Sequence, residues 1–236
     1  MEEVLGAKYF DSEDIIKMLK EKYKKQQFDS LGNISILSAS FVVTTDDMLK
    51  EPNEEYIQRE LEWYLSESLN VNDIPGKTPK IWEQVSDKDG FINSNYGWTT
   101  FSKENYSQFD KVLEELSKNN KYSRQGVIIF IRPTMHEDSK RNGMHDFICT
   151  YCYNFKIEKD IDGIDKLYMM VNMRSNDCVF GYLNDKGFAD YVFNRMLNEL
   201  QKTYPELQKG VMFWKADNFH VYPRHFKYLE ETIEEE

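Results

Sequence analysis

The order in which strand-like and helix-like runs follow one another constrains the fold of this chain more than any other feature. Residues 34–43, 126–132, 147–157, 166–173, 211–214 and 219–222 are alternating or β-branched and read as strands. Residues 13–25, 54–67, 105–117 and 187–203 carry amphipathic spacing and read as helices. Asp11 or Ser12 can cap the first helix, whose apolar face holds Ile15, Ile16, Leu19 and Tyr23. In the third, Phe109, Val112, Leu113 and Leu116 point inward. The strands at 147–157 and 166–173 are separated by Asp160-Ile161-Asp162-Gly163, a turn. The runs are interspersed without strict strand–helix–strand repetition. The expected class is therefore α+β, one large mixed sheet with helices packed on it. With 236 residues, 40% of them hydrophobic, the chain can bury one sizeable core. It has no Ser/Gly/Pro-rich linker and no repeat, which predicts a single domain over 1–236.

Charge and cysteine content narrow the function classes. A net charge of −11 argues against nonspecific nucleic-acid binding, which needs a basic face, yet a few placed arginines can still hold a small anion. No apolar run is long enough to span a bilayer, and Met1-Glu2-Glu3-Val4-Leu5-Gly6 lacks a basic, then apolar, leader. Three cysteines fit free thiols in a reducing cytosol, so a cytoplasmic protein is expected. No second Cys or His pair stands at ligand spacing, so no metal is expected. The acidic tail at 230–236 reads as solvated or frayed.

Four places carry candidate chemistry. Cys149 lies in Asp146-Phe147-Ile148-Cys149-Thr150-Tyr151-Cys152-Tyr153-Asn154-Phe155, where strand alternation sends Cys149 and Cys152 to opposite faces and disfavours a redox pair. Taken alone, Cys149 reads as a buried core thiol. Glu60 shares the apolar side of helix 54–67 with Tyr56, Ile57, Trp63 and Tyr64, so burial should raise its pKa and suit it to proton transfer; the alternative is a glutamate at the edge of the stripe. Arg174-Ser175-Asn176-Asp177 offers a guanidinium and hydroxyl to a phosphate, and by itself is a polar turn. Asp185 follows Arg174 by eleven residues.

In this order the segments resemble the thymidylate synthase superfamily. The matches are Cys149 with Tyr153-Asn154-Phe155, Arg174-Ser175-x-Asp177-x-x-x-Gly181, Arg59-Glu60-Leu61-x-Trp63-Tyr64, Ile81-Trp82-Glu83, Asn93-Ser94-Asn95-Tyr96-Gly97-Trp98 and His220-Val221-Tyr222. They run from about residue 30 to about 228. The departures are Thr150 where the family has His after the nucleophile, Phe147-Ile148 for Pro-Pro, and Gln125 for the second arginine of the Ser123-Arg124 segment. The resemblance implies a thymidylate synthase-like α+β fold, a nucleotide with 5,10-methylenetetrahydrofolate as cosubstrate, no metal, and a homodimer in which Arg124 reaches the partner's site. It implies Cys149 as nucleophile on C6 of a pyrimidine, Glu60 as the organiser of water and protons, and Arg174, Ser175 and Arg124 at the phosphate. It further implies His220 and Tyr222 at the sugar, Gly181 under the base, Tyr96 in the site wall, and Asp177 and Trp82 facing the folate. Family methylases carry Asn where Asp185 stands, reading uracil; a carboxyl instead complements cytosine N4 and, with a shared proton, N3. Asn184 is the alternative reader if the register slips by one. The whole string looks closest to the phage deoxycytidylate hydroxymethylase branch. A uracil-specific enzyme on the same fold is the second reading, and a non-catalytic binding relative or a Cys149–Cys152 thiol protein are more distant ones.

Overall fold

A computed structural model describes residues 1–234. A short hairpin, β1 (Glu2–Val4) and β2 (Ala7–Tyr9), leads into α1 (Ser12–Lys24), β3 (Ile34–Val42) and α2 (Glu54–Leu65). Three short helices follow: α3 (Lys80–Val85), α4 (Tyr96–Phe101) and α5 (Gln108–Glu114). Then come β4 (Val127–Ile129), α6 (Met135–Asp138), β5 (Thr150–Lys159), β6 (Asp165–Met173) and β7 (Asn176–Asp177). The chain closes with α7 (Gly181–Gln201), β8 (Gln208–Val221) and α8 (Phe226–Glu234). The main sheet runs β3-β8-β6-β5-β4, with β7 added beside β8. β6 and β7 lie parallel to β8, and the other pairs are antiparallel. This is the mixed sheet with packed helices expected of an α+β chain.

One sheet face is dry. Tyr153, Phe155 and Ile157 of β5, Val171 of β6 and Trp214 of β8 are buried on it. Helix α7 contributes Phe188, Val192, Phe193 and Met196 to the same core. Asp11 caps α1 through a reciprocal box with Asp14, so of the two expected caps Asp11 is the one used.

Several boundaries differ from the sequence expectation, each for a local reason. Helix 187–203 begins six residues earlier, at Gly181, because the Asp177 carboxylate accepts the N–H groups of Val179, Phe180 and Gly181 at 3.3–3.4 Å and starts the helix across a stretch that reads as a turn. The strands expected at 211–214 and 219–222 are one strand; the polar Lys215-Ala216-Asp217-Asn218 between them continues the alternation, with Tyr151 Oη donating to Asp217 at 3.0 Å. The strand expected at 126–132 is only Val127–Ile129 and pairs on one side alone, so Ile129 stays exposed. Residues 105–107 are not helical, since Tyr106 and Ser107 have positive φ, and α5 instead continues into a π-turn over Glu115–Asn119. Helix α2 stops at Leu65. The tail is helical through Glu234: Leu229 is buried, Tyr23 donates to Glu230, and Phe226 packs against Tyr23 and Phe28. Of that expected frayed tail, Glu235 and Glu236 lie outside the described residues.

Candidate active site

The site forms where α2, α7 and the segment before β5 converge. Helix α2 can approach α7 because Gly187 has no side chain; a Cβ there would drive into Ile57. At α4, a Cβ on Gly97 would overlap the main-chain carbonyl of Tyr64. These two close approaches set Glu60 of α2, Tyr96 of α4 and Asp185 of α7 around one point. Tyr64 stacks on Tyr96 with ring centroids 5.7 Å apart, and Phe188 packs edge-on to Tyr64 at 5.1 Å.

Glu60 is buried on the apolar face of α2, not at its edge. Its Oε1 accepts from Tyr56 Oη at 2.6 Å and from Trp82 Nε1 at 2.9 Å. Desolvation raises its pKa, and those two donors oppose the rise. The indole N–H of Trp82, expected to face a folate, is thus committed to Glu60.

Cys149 lies one residue outside β5. A register irregularity between Thr150 and Cys152 turns the strand there, a common device beside reactive groups. The expected strand from residue 147 is therefore a loop up to Cys149, yet the two thiols do point apart. Cys149 meets Arg174, whereas Cys152 accepts from Asn154 on the other side of the sheet. Both are free thiols. Two ties hold the Cys149 loop. Arg174 donates to the carbonyls of Ile148 (3.0 Å) and Phe147 (2.7 Å) and to Cys149 Sγ (3.3 Å), with its guanidinium over the Phe147 ring. Buried Asp146 accepts from the N–H groups of Asn93 and Ser94, both at 2.7 Å, and from Ser94 Oγ at 2.6 Å. Burial pushes the Cys149 thiol up to about 11, the Arg174 guanidinium pulls it down, and Asp185 and Asp146 add to the rise.

Asp185 sits in the second turn of α7. Its Oδ2 accepts from Asn176 Nδ2 at 2.8 Å. Desolvation, followed by the charge of Glu60, holds its pKa well above the carboxylate range. Burial is the first cause raising the pKa values of Tyr64, Tyr96 and Tyr153, and the charge of Asp185 is a further one, which puts its carboxyl near these three rings. The hydroxyls of Tyr153 and Thr150 are buried without hydrogen-bond partners; Thr150 Oγ1 lies beside the Tyr96 hydroxyl but outside bonding geometry. Such orphaned groups around a thiol and two carboxyls suit a small polar ligand.

His220 and Tyr222 meet with ring centroids 4.6 Å apart, as one-face alternation requires. Ser175 is half-buried next to Arg174. Gly181 opens α7 with Asp177, Asn176 and Asp185 around its Cα. Asp177, expected at the pterin, caps α7 and lies 3.6 Å from His225 Nδ1. Arg124 is not brought to this site in its own chain. Val127 pairs with Asn154, five residues along β5 from Cys149, and Tyr122, on the far side of Arg124, bonds to Asp165 at the opposite end of the sheet. Both contacts place the segment around Arg124 toward the end of the sheet away from Cys149. Asn176, Tyr64 and Asp146 also belong to the site, and the sequence alone did not single them out.

The site thus combines a thiol beside a guanidinium, the buried carboxyl of Glu60, the half-buried carboxyl of Asp185 and a His–Tyr pair on a six-stranded sheet. The thymidylate synthase family model matches residues 15–236. This chain belongs to that family. Within it, the chain is 45% identical over 210 residues to the deoxycytidylate 5-hydroxymethyltransferase of Enterobacteria phage T6, covering 88% of this chain and 83% of that one. The corresponding protein of Enterobacteria phage T4 is 44% identical over the same spans. A thymidylate synthase of Francisella tularensis subsp. holarctica is 23% identical, over 85% of this chain and 72% of its own length. Among the described residues no group of three or more His, Cys, Asp or Glu is placed to hold a metal ion, and no helix is long and apolar enough to cross a membrane.

Proposed function

We propose that this chain is a deoxycytidylate 5-hydroxymethyltransferase, converting dCMP, 5,10-methylenetetrahydrofolate and water to 5-hydroxymethyl-dCMP and tetrahydrofolate. The observation that carries this reading is Asp185: a carboxyl, desolvated beside Glu60 and facing the thiol site, at the position where family methylases have a neutral amide. The names of the two phage relatives support it.

The Cys149 thiolate adds to C6 of the base, which makes C5 nucleophilic. Arg174, bonded to Sγ, favours the thiolate. The folate supplies a one-carbon unit at the aldehyde oxidation level. Asp185 in its neutral form offers one O–H and one acceptor oxygen, the complement of cytosine N3 and N4. Glu60 uses Oε1 for Tyr56 and Trp82, leaving Oε2 to hold the water that becomes the hydroxyl. Arg174 and Ser175 hold the phosphate, His220 and Tyr222 the sugar 3′-hydroxyl. Gly181 lets the base lie close over the start of α7, and Tyr96 walls the site. For the folate we assign Trp82, beside Glu60, and Asp177; near Asp177, His225 Nδ1 is buried without a hydrogen-bond partner, and the exposed Phe180 ring lies against His225 with Lys50 over it.

A homodimer accounts for the other face of the sheet. Met170, Phe213 and Tyr9 line an outward groove of about 320 Å³, and Arg124 at the sheet's far end is available to enter the partner's site. No nucleic-acid or membrane partner is proposed, and the reaction belongs in the cytoplasm.

Tritium release from [5-³H]dCMP and [5-³H]dUMP, each with methylenetetrahydrofolate, tests the reading. Release from dCMP with a product heavier by CH₂O supports it. Release only from dUMP overturns the cytosine assignment, and none from either overturns the catalytic one.

A further inference from the structure

The side chain that holds Asp185 makes no hydrogen bond to the Cys149 thiol, and the proposed bond-making steps give it no part. Asn176 Nδ2 donates to Asp185 Oδ2 at 2.8 Å, and Asn176 Oδ1 accepts from Trp214 Nε1 at 3.1 Å. An indole nitrogen can only donate, so the Trp214 bond fixes the amide with its oxygen toward the indole and its NH₂ toward Asp185. Asn176 and Trp214 are 4% and 0% exposed, so solvent offers a flipped amide nothing in return for two lost hydrogen bonds.

A permanent donor on Oδ2 matters because the two oxygens of a neutral carboxyl differ. The carbonyl-type oxygen is the better acceptor and the other carries the hydrogen. A donor held on Oδ2 therefore directs the hydrogen to Oδ1. We propose that Asn176, oriented by Trp214, sets which oxygen of Asp185 carries the proton and thereby fits the carboxyl to cytosine and against uracil. Cytosine presents an acceptor at N3 and a donor at N4, which an Oδ1–H and an accepting Oδ2 meet together. Uracil presents N3–H and O4 and needs the opposite arrangement, with the hydrogen on the oxygen that Asn176 already occupies. Asn176 is a positioning residue in this scheme, acting only through Asp185. The proposal rests on the cytosine reading of the site.

The other ionisable groups facing Asp185 do not undo this. Glu60 from α2, Tyr64 from the next turn of α2, Tyr96 from α4, Tyr153 from β5, Cys149 from its loop and Asp177 from β7 surround it. Burial first, and then the neighbouring carboxyls of Glu60 and Asp177, raise the pKa of Asp185 and so favour its protonated form.

Two variants test the assignment. Asn176→Asp keeps the acceptor for Trp214 and the side-chain size but replaces the NH₂ with oxygen. Trp214→Phe leaves Asn176 in place and removes what orients it. kcat/KM for tritium release from labelled dCMP and dUMP is measured over about pH 6–9, where acid–base groups of a site are read, with thermal melts by circular dichroism as the fold control. The expected result is a fall of about tenfold or more in the dCMP:dUMP ratio for Asn176→Asp. A displaced pH profile for dCMP accompanies it, and Trp214→Phe gives a smaller fall in the same direction. If Asn176→Asp does not fold, Trp214→Phe decides. Folded variants with the wild-type ratio and wild-type pH profile overturn the proposal and leave the cytosine reading intact. A wild-type protein with no preference for dCMP overturns both.

Discussion

The thiol and the two carboxyls of the site are held by different means. Glu60 and Asp185 ride on helices whose crossing is set by Gly187 and by the Gly97 contact with Tyr64, so their geometry is a property of the core. Cys149 stands on an irregular loop tied down by Arg174 and Asp146, so its geometry is a property of polar bonds. The core side should fail by unfolding and the loop side by losing reactivity while the fold survives. The proposed reaction, which must open and close a covalent bond at sulfur, gains from having the thiol on the adjustable side and the proposed base reader on the rigid one.

The sharpest way to break the comparison is Gly97→Ala. The added Cβ meets a backbone carbonyl that cannot rotate away, so helices α2 and α4 must separate. We expect a loss of about 3 kcal/mol or more in stability by chemical denaturation. A variant of wild-type stability would mean that the crossing is loose. Arg174→Ala comes next and strikes the loop side. It removes the strongest influence lowering the Cys149 pKa, so that pKa rises above about 11. The thiolate fraction at fixed pH falls, and iodoacetamide alkylation near pH 8 slows in proportion, by about tenfold or more. Circular dichroism should be nearly unchanged; unfolding would place Arg174 with the core instead. The smallest effect sharpens the contrast. Asp185 has a raised pKa in the folded state, so between its ordinary 3.8 and that raised value the folded chain keeps a proton the unfolded chain sheds. The stabilising contribution of Asp185 is thus complete at low pH and lost as pH rises through the folded pKa. Asp185→Asn removes that loss, and we expect melting near pH 7 to rise by about 2–4 °C, with the gain vanishing below about pH 4. An increase that persists in acid would point to packing rather than charge.

Much of the molecule is readable from residue order. Alternation finds β3, β5 and β6, and helical spacing finds α1, α2 and most of α7. Glu60 is legible because a carboxyl among Tyr56, Trp63 and Tyr64 on one helical face has to be buried. What escapes is set by contacts distant in sequence. The first turn of α7 depends on the Asp177 carboxylate, and without that cap Gly181 and Asn184 read as a turn. β8 looks broken at 215–218 because its outward positions are charged. Asn176 becomes a site residue only when β8 puts Trp214 beside it, 38 positions along the chain. Asp146 looks like part of the approach to Cys149, and its three donors come from residues 93 and 94.

The unbroken strand β8 has one further consequence. It carries Trp214, which donates to Asn176 of the proposed base-reading pair, and six residues later His220, which belongs to the proposed sugar-facing pair. Because a strand has a period of two, inserting or deleting one residue between them would turn one of the two away from the site. In the proposed reading, the span works as a gauge of fixed length from base to ribose. Natural variation in chain length among proteins built this way should be excluded from 214–220 and should gather instead in the exposed turn at 160–163, where an added residue measures nothing.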